Sequence, residues 1–419
     1  MRLFILILCM TFSLFASDLT LEIVKDVGNL PKIAIEVSPE SIEGKIGQKF
    51  FKLLLGDLKV TSHFDPISSS IEYARILDPI DYAKYKDVAY LLRYKLFYDD
   101  FGDLEARAVV YDVKTSKQLF QKLYRLRDKK RYPFIAHKIV YDLNEALHFP
   151  DVAFLKSFVI FAKYIAPKRS DIVLSDYTLT YQKTIVHGGL NIFPKWADKE
   201  QRSFYYTDMQ GRPTLYRVDI YKGVRTKILS GEGMLVCSDV SEDGSRLLLT
   251  MAPKDQPDIY EYNLHTHALR RVTRYPGIDV NGNYIEGGAR VVFVSDRLGN
   301  PTIFAKRINS DAVERIVYHG KNNSALNSFG HYIVYSSRES NNAFGPNTFN
   351  LYLTSTTSDY IRRLTANGVN IFPRFSSDGE TILFIKEFQR QTALGVIRLK
   401  YNKSYLFPLY TGKIQSIDW

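Results

Sequence analysis

The chain has 419 residues, 45% apolar and 24% charged, a balance that supports a packed core and excludes a low-complexity or wholly disordered protein. Lysine and arginine outnumber the acids 56 to 45, for a net charge of +11. The cations are scattered, the densest run being Lys129-Lys130-Arg131, so the basic stripe of a nucleic-acid binder is not expected.

The first residues read as a secretory signal. Arg2 is followed by an apolar run from Leu3 to Phe15 and then by Ala16-Ser17-Asp18. A short positive start, an apolar stretch too short to span a bilayer comfortably and a small residue at the exit are the marks of a cleaved leader. Residues 1–16 are therefore expected to be removed, with an uncleaved anchor or a lipid-modified Cys9 as weaker alternatives. Removal takes away one arginine and no acid, leaving +10, and leaves Cys237 as the one cysteine. A lone thiol cannot close an internal disulfide, and a buried strand cysteine is the expected role.

Residues 17–150 are expected to form a small α/β domain. Ser38-Pro39 followed by Ile42, Ile46, Phe50 and Leu53-Leu54 predicts a capped helix with one apolar stripe. Pro133 followed by Ile135, Ile139, Leu143 and Leu147 predicts a second. Strand patterns lie at Lys32–Val37, Val88–Tyr98, Leu104–Val113 and Gln118–Arg125. His148-Phe149-Pro150 marks the junction with the second domain.

Residues 151–419 carry a repeat. A short segment recurs with its last residue at Trp196, Val240, Ile285, Phe329, Phe375 and Trp419, in steps of 44, 45, 44, 46 and 44. Each segment leads into a turn, clearest as Ser241-Glu242-Asp243-Gly244 and Ser376-Ser377-Asp378-Gly379, and then into three further strands. Four short strands in such a unit describe a β-propeller blade. The unit from Phe158 to Val186 lacks its opening strand, while Lys413–Trp419 is an opening strand with no blade after it. Together they predict six blades in a ring closed by the C-terminal strand, which removes exposed sheet edges.

Signs of catalysis are sparse. There is no His-Glu-x-x-His, nucleophile elbow, phosphate-binding glycine loop or paired-cysteine metal site. His265 and His267 could face one way on a strand, but a solvated hairpin is the expected reading, so no metal or cofactor is predicted. The innermost strands bring Lys195, Asp239, Asn281, Asn283, Arg374 and Asp418 toward the channel. An exported hydrolase or lyase working there is the alternative to a binding protein. Loops before the first strand of each blade and between the second and third share one end of the ring. They make that rim a natural docking face.

The Ser-x-Asp-Gly blade turn, the ordered series of leader, α/β domain, six blades and closing strand, and the segment from Tyr124-Arg125-Leu126-Arg127 through Ala136-His137 to Tyr141 resemble the TolB family of Tol-Pal envelope proteins. The resemblance implies a monomeric periplasmic adaptor that supports outer-membrane integrity, envelope constriction at division and protein import. It implies that the lipoprotein Pal docks on the rim, at Leu190, Met234, Leu235, Asp279, Val280, Asn322, Asn323, Val369 and Asn370. It further implies that TolA takes the N-terminal arm, Asp18, Leu19, Thr20, Leu21, Glu22, Ile23 and Val24, whose alternation suits a strand added to a partner's sheet. The chain departs from the family where Met234-Leu235-Val236-Cys237 replaces the usual His-Asn-Gly-Ala, which weakens the transfer of individual contacts.

Overall fold

The computed structural model describes residues 20–23 (backbone only), 29–68, 75–339, 347–388 and 391–419. The expected leader, Asp18, Leu19 and Val24 lie outside them. Strand β1 is Thr20–Ile23. The next five strands form a mixed sheet, made of β2 (Lys32–Val37), β3 (Asp65–Pro66), β4 (Tyr90–Tyr98), β5 (Leu104–Asp112) and β6 (Lys117–Leu126), in the order β3-β2-β4-β5-β6. Two helices, α1 (Gly44–Thr61) and α2 (Tyr132–Ala146), cover one face. Phe50, Leu53, Leu54 and Leu58 of α1 and Ile135, Ile139 and Leu143 of α2 pack on Leu92, Tyr94, Leu96 and Ala106. Each such side chain contributes about 1.5–3 kcal/mol on burial.

Helix α2 starts where its proline predicts, because Pro133 in the first turn gives up no needed hydrogen bond. Helix α1 does not start at Ser38-Pro39. The Ser38 amide donates to Tyr94, the Ile42 amide to Leu96, and Ser41 Oγ accepts from the Leu96 amide, so this stretch continues the sheet and the helix begins at Gly44.

The rest of the chain forms six four-stranded blades. Blade 1 combines Lys413–Asp418 with strands between Val159 and Val186; blades 2 to 6 lie in turn within 191–230, 235–271, 279–315, 321–363 and 369–408. The C-terminal strand pairs antiparallel with Val159–Ala166, from Lys413 opposite Tyr164 to Asp418 opposite Ile160. Ring closure by the chain's own end therefore stands as read from the repeat.

Neighbouring blades are joined at the channel by side chains that take up backbone amides of the adjoining inner strand. Asp418 accepts from the Trp196 amide at 2.8 Å, Asp239 from Tyr284 at 2.9 Å and Asn327 from Phe375 at 2.8 Å. The inner strands are bulged, and Phe193, Asn281, Ala325 and Phe372 take positive φ there.

The α/β domain packs on the opposite end of the ring from the rim, against blades 1 and 6. His137 on α2 is fully buried between Asp57 of α1 (2.8 Å) and Asp176 of blade 1 (3.3 Å), while Tyr177 donates to Asp57. His63 bonds Asn144 at 2.5 Å and the Tyr401 hydroxyl of blade 6 at 2.8 Å. Tyr405 donates to the Lys59 carbonyl at 2.6 Å. Polar groups at this seam thus find partners across it, which offsets their desolvation.

Candidate docking surfaces

The rim residues expected to bind a partner divide into two kinds. Met234 is 43% exposed and Leu190, Val280, Asn322 and Val369 are half-buried. Leu235, Asp279, Asn323 and Asn370 are buried. Three of these hold the rim in shape. The Asn323 side-chain amide donates to the His319 carbonyl at 3.0 Å, that of Asn370 to the Asn367 carbonyl at 2.9 Å, and both Asp279 carboxylate oxygens accept from Arg297 Nη2 at 3.0 Å. Asn191 does the same for blade 2, donating to Gly188 at 2.6 Å. An asparagine at the start of an inner strand thus braces the loop before it, and Asp279 braces the loop between the second and third strands of its own blade, which makes their neighbours the presented groups.

The presented groups include side chains that sequence reasoning missed. Tyr318 is 75% exposed and Leu298 59%, and Ile165, Ile278, Phe388 and Tyr410 are each more than two-fifths exposed. By strand direction all lie at the same end of the ring as Met234, and they come from blades 1, 3, 4, 5 and 6. The other end of the ring exposes Tyr221, Val224, Leu269, Phe329, Tyr332, Tyr360 and Ile361, so apolar exposure marks the rim as an interaction site only together with its braced loops. The signal that could have found them is the large apolar residue within a turn otherwise built from Gly, Asn and Pro.

The channel gathers charge at the joints between blades. Lys195 Nζ lies 3.5 Å from Asp239 and 3.4 Å from Asp418, and Arg374 Nε is 3.5 Å from Asp418. Burial alone would lower the Lys195 pKa, but the two carboxylates outweigh it and keep the ammonium charged. Each carboxylate also accepts the backbone amide described above, so both serve the joints between blades. Asn281 and Asn283 bond Leu326 and Asn327 across the next joint. Cys237 is buried, and burial pushes its thiol far above the usual range, which leaves it unreactive. His267 bonds Tyr262 in an exposed turn beside His265, and no group of metal-ligating side chains occurs among the described residues.

The arm's visible part, Thr20–Ile23, does not join the sheet of its own domain. It adds antiparallel to the outer strand of blade 6, with Thr20 opposite Leu406 and Ile23 opposite Lys403. Beside it a cleft of about 1280 Å³ opens between the domains, bounded by Lys32, Lys59, Tyr85, Lys403 and Tyr405. No helix among the described residues is long and apolar enough to cross a membrane.

Comparison with known proteins agrees with this geometry. Residues 155–419 match the family model described as the TolB beta propeller domain. The Tol-Pal system protein TolB of Wolinella succinogenes is 50% identical over 412 residues, covering 97% of each chain. That of Helicobacter hepaticus is 43% identical over 417 residues, 99% of each. The crystal structure of TolB from Acinetobacter baumannii superposes with a TM-score of 0.78 over 96% of this chain and 99% of its own, at 21% identity, a likeness of fold.

Proposed function

Because this chain belongs to the TolB family of the Tol-Pal system, we propose that it is an exported periplasmic adaptor whose propeller rim docks Pal and whose N-terminal arm engages TolA. In this role it couples the inner membrane to outer-membrane integrity and to envelope constriction, and it works by binding rather than by catalysis. The observation that supports the rim assignment most is the set of exposed apolar side chains, Met234, Ile278, Leu298 and Tyr318 among them, held on braced loops. Rigid loops bind with less ordering cost than mobile ones. The arm assignment is supported by β1, which already pairs as an added strand and could exchange one sheet edge for another.

The test is capture from envelope extracts with the tagged mature chain. Pal and TolA should both be recovered. The double substitution Met234→Glu, Tyr318→Glu should weaken Pal capture at least about tenfold, because charges would be buried at the centre of the contact, and leave TolA capture unchanged. Deleting residues 18–24 should do the reverse. Pal capture that survives the double substitution removes the rim from consideration, and TolA affinity unaltered by the deletion does the same for the arm.

A further inference from the structure

The sheet of the α/β domain ends in a long open edge. Strand β6 has 10 residues and pairs with β5 along its whole length, from Leu126 opposite Leu104 to Lys117 opposite Asp112. It is the last strand in the sheet order, so among the described residues no strand takes its other side. Such an edge presents a row of unpaired backbone donors and acceptors, which a folded protein must either protect or use.

The side chains here select by charge. Strand β6 reads Lys-Gln-Leu-Phe-Gln-Lys-Leu-Tyr-Arg-Leu, with no acid, and Arg127-Asp128-Lys129-Lys130-Arg131 comes directly after it, four cations to one acid. Lys122 is paired with Asp142 and Arg125 with Asp99, Asp103 and Glu105, while Lys117, Arg127 and Lys130 make no ion pair among the described residues. At the Leu126 end the hairpin tip adds an apolar anchor. Phe101 is 86% exposed with the Arg125 guanidinium 5.9 Å from its ring, and Leu123 is 53% exposed.

We propose that β6 is a docking edge for an extended, acidic segment of a partner protein, which adds to the sheet as one more strand. A second copy of this chain fits poorly, because two β6 edges laid together would set lysine and arginine against lysine and arginine. An acidic strand meets the opposite condition. Its backbone completes the ladder while carboxylates on its two faces reach Lys117 and Arg127, which the register shift between Gln118 and Phe120 sets on opposite faces of the sheet. This surface is separate from both the rim and the blade 6 edge that carries β1.

The experiment uses the full mature chain and a fluorescent peptide matched to the strand's length, in which pairs of glutamates alternate with pairs of valines so that both faces carry carboxylates. Binding is read by anisotropy and its place by amide hydrogen exchange. Protection of alternate amides within 117–126 is expected. N-methylation of the peptide at alternate residues should weaken binding at least about tenfold by removing ladder bonds. The pair Lys117→Glu, Arg127→Glu should weaken it similarly through like-charge contact. Both positions are exposed, so the fold should persist, as circular dichroism will show. Failure of the peptide to bind, binding indifferent to N-methylation or to the charge reversal, or protection confined to other residues overturns the proposal. So does a β6-dependent dimer, or binding to phosphatidylglycerol–phosphatidylcholine vesicles without binding to the peptide.

Discussion

Two histidines at the seam between the domains are held in opposite charge states. Burial alone would push the His137 imidazole down, but the Asp57 and Asp176 carboxylates outweigh it and hold it up at about 10. Burial pulls His63 down to about 4, with the nearby Arg398 and Lys400 adding to the effect. Since an unfolded histidine titrates near 6.5, the contribution of His137 is complete below that value and lost as pH rises toward 10. That of His63 is complete above 6.5 and lost as pH falls toward 4. The melting temperature should therefore peak near neutrality and decline on both sides. His137→Gln should remove the alkaline decline and cost about 3–5 kcal/mol, because two buried carboxylates lose their cation. A melting temperature that still falls between pH 6.5 and 10 in that variant would assign the decline to another group. The charge states were not legible in the sequence. His137 and Asp176 stand far apart along the chain, and nothing in their local patterns says that they meet away from water.

Among elements, the C-terminal strand has the most consequence per residue. It buries Ile414 and Ile417, Asp418 takes the Trp196 amide, and the Trp419 indole donates to the Phe375 carbonyl at 3.0 Å, tying blade 1 to blades 2 and 6. Each isoleucine alone is worth about 2–5 kcal/mol. A chain ending at Gly412 should therefore melt at least about 10 °C lower, and a full-length melting temperature in that truncation would refute closure by this strand. The strand was legible because the repeat leaves one blade short of a strand and one strand without a blade. The start of α1 was not. Ser38 and Pro39 look like a helix opening, yet Ser38, Ser41 and Ile42 find their partners on β4, at Tyr94 and Leu96. A cap signal loses when a sheet offers the same groups better hydrogen bonds.

At the scale of the whole molecule, the rim combines residues that brace with residues that present, and the two should respond differently to mutation. Asn370→Ala and Asp279→Ala should destabilise by about 1–3 kcal/mol, since each leaves buried polar groups without partners. Met234→Glu and Tyr318→Glu should stay within about 0.5 kcal/mol of the parent while reducing partner capture. Equal destabilisation by both pairs in chemical denaturation would contradict this division. The division also explains why the rim could be recognised as a face before its working side chains could be chosen. Glycine- and asparagine-rich turns mark where the loops are, but an asparagine that braces and one that presents are identical in sequence.

The sequence by itself determined the repeat register, the number of blades and the strand that closes the ring, because periodic apolar strands and Asp-Gly turns are local properties carried by adjacent residues. Only the tertiary structure decided which rim groups face solvent, which histidine is charged, and that the arm lies on blade 6 rather than on its own domain. Those outcomes depend on residues that are remote in the chain competing for the same water-free space and the same free sheet edge.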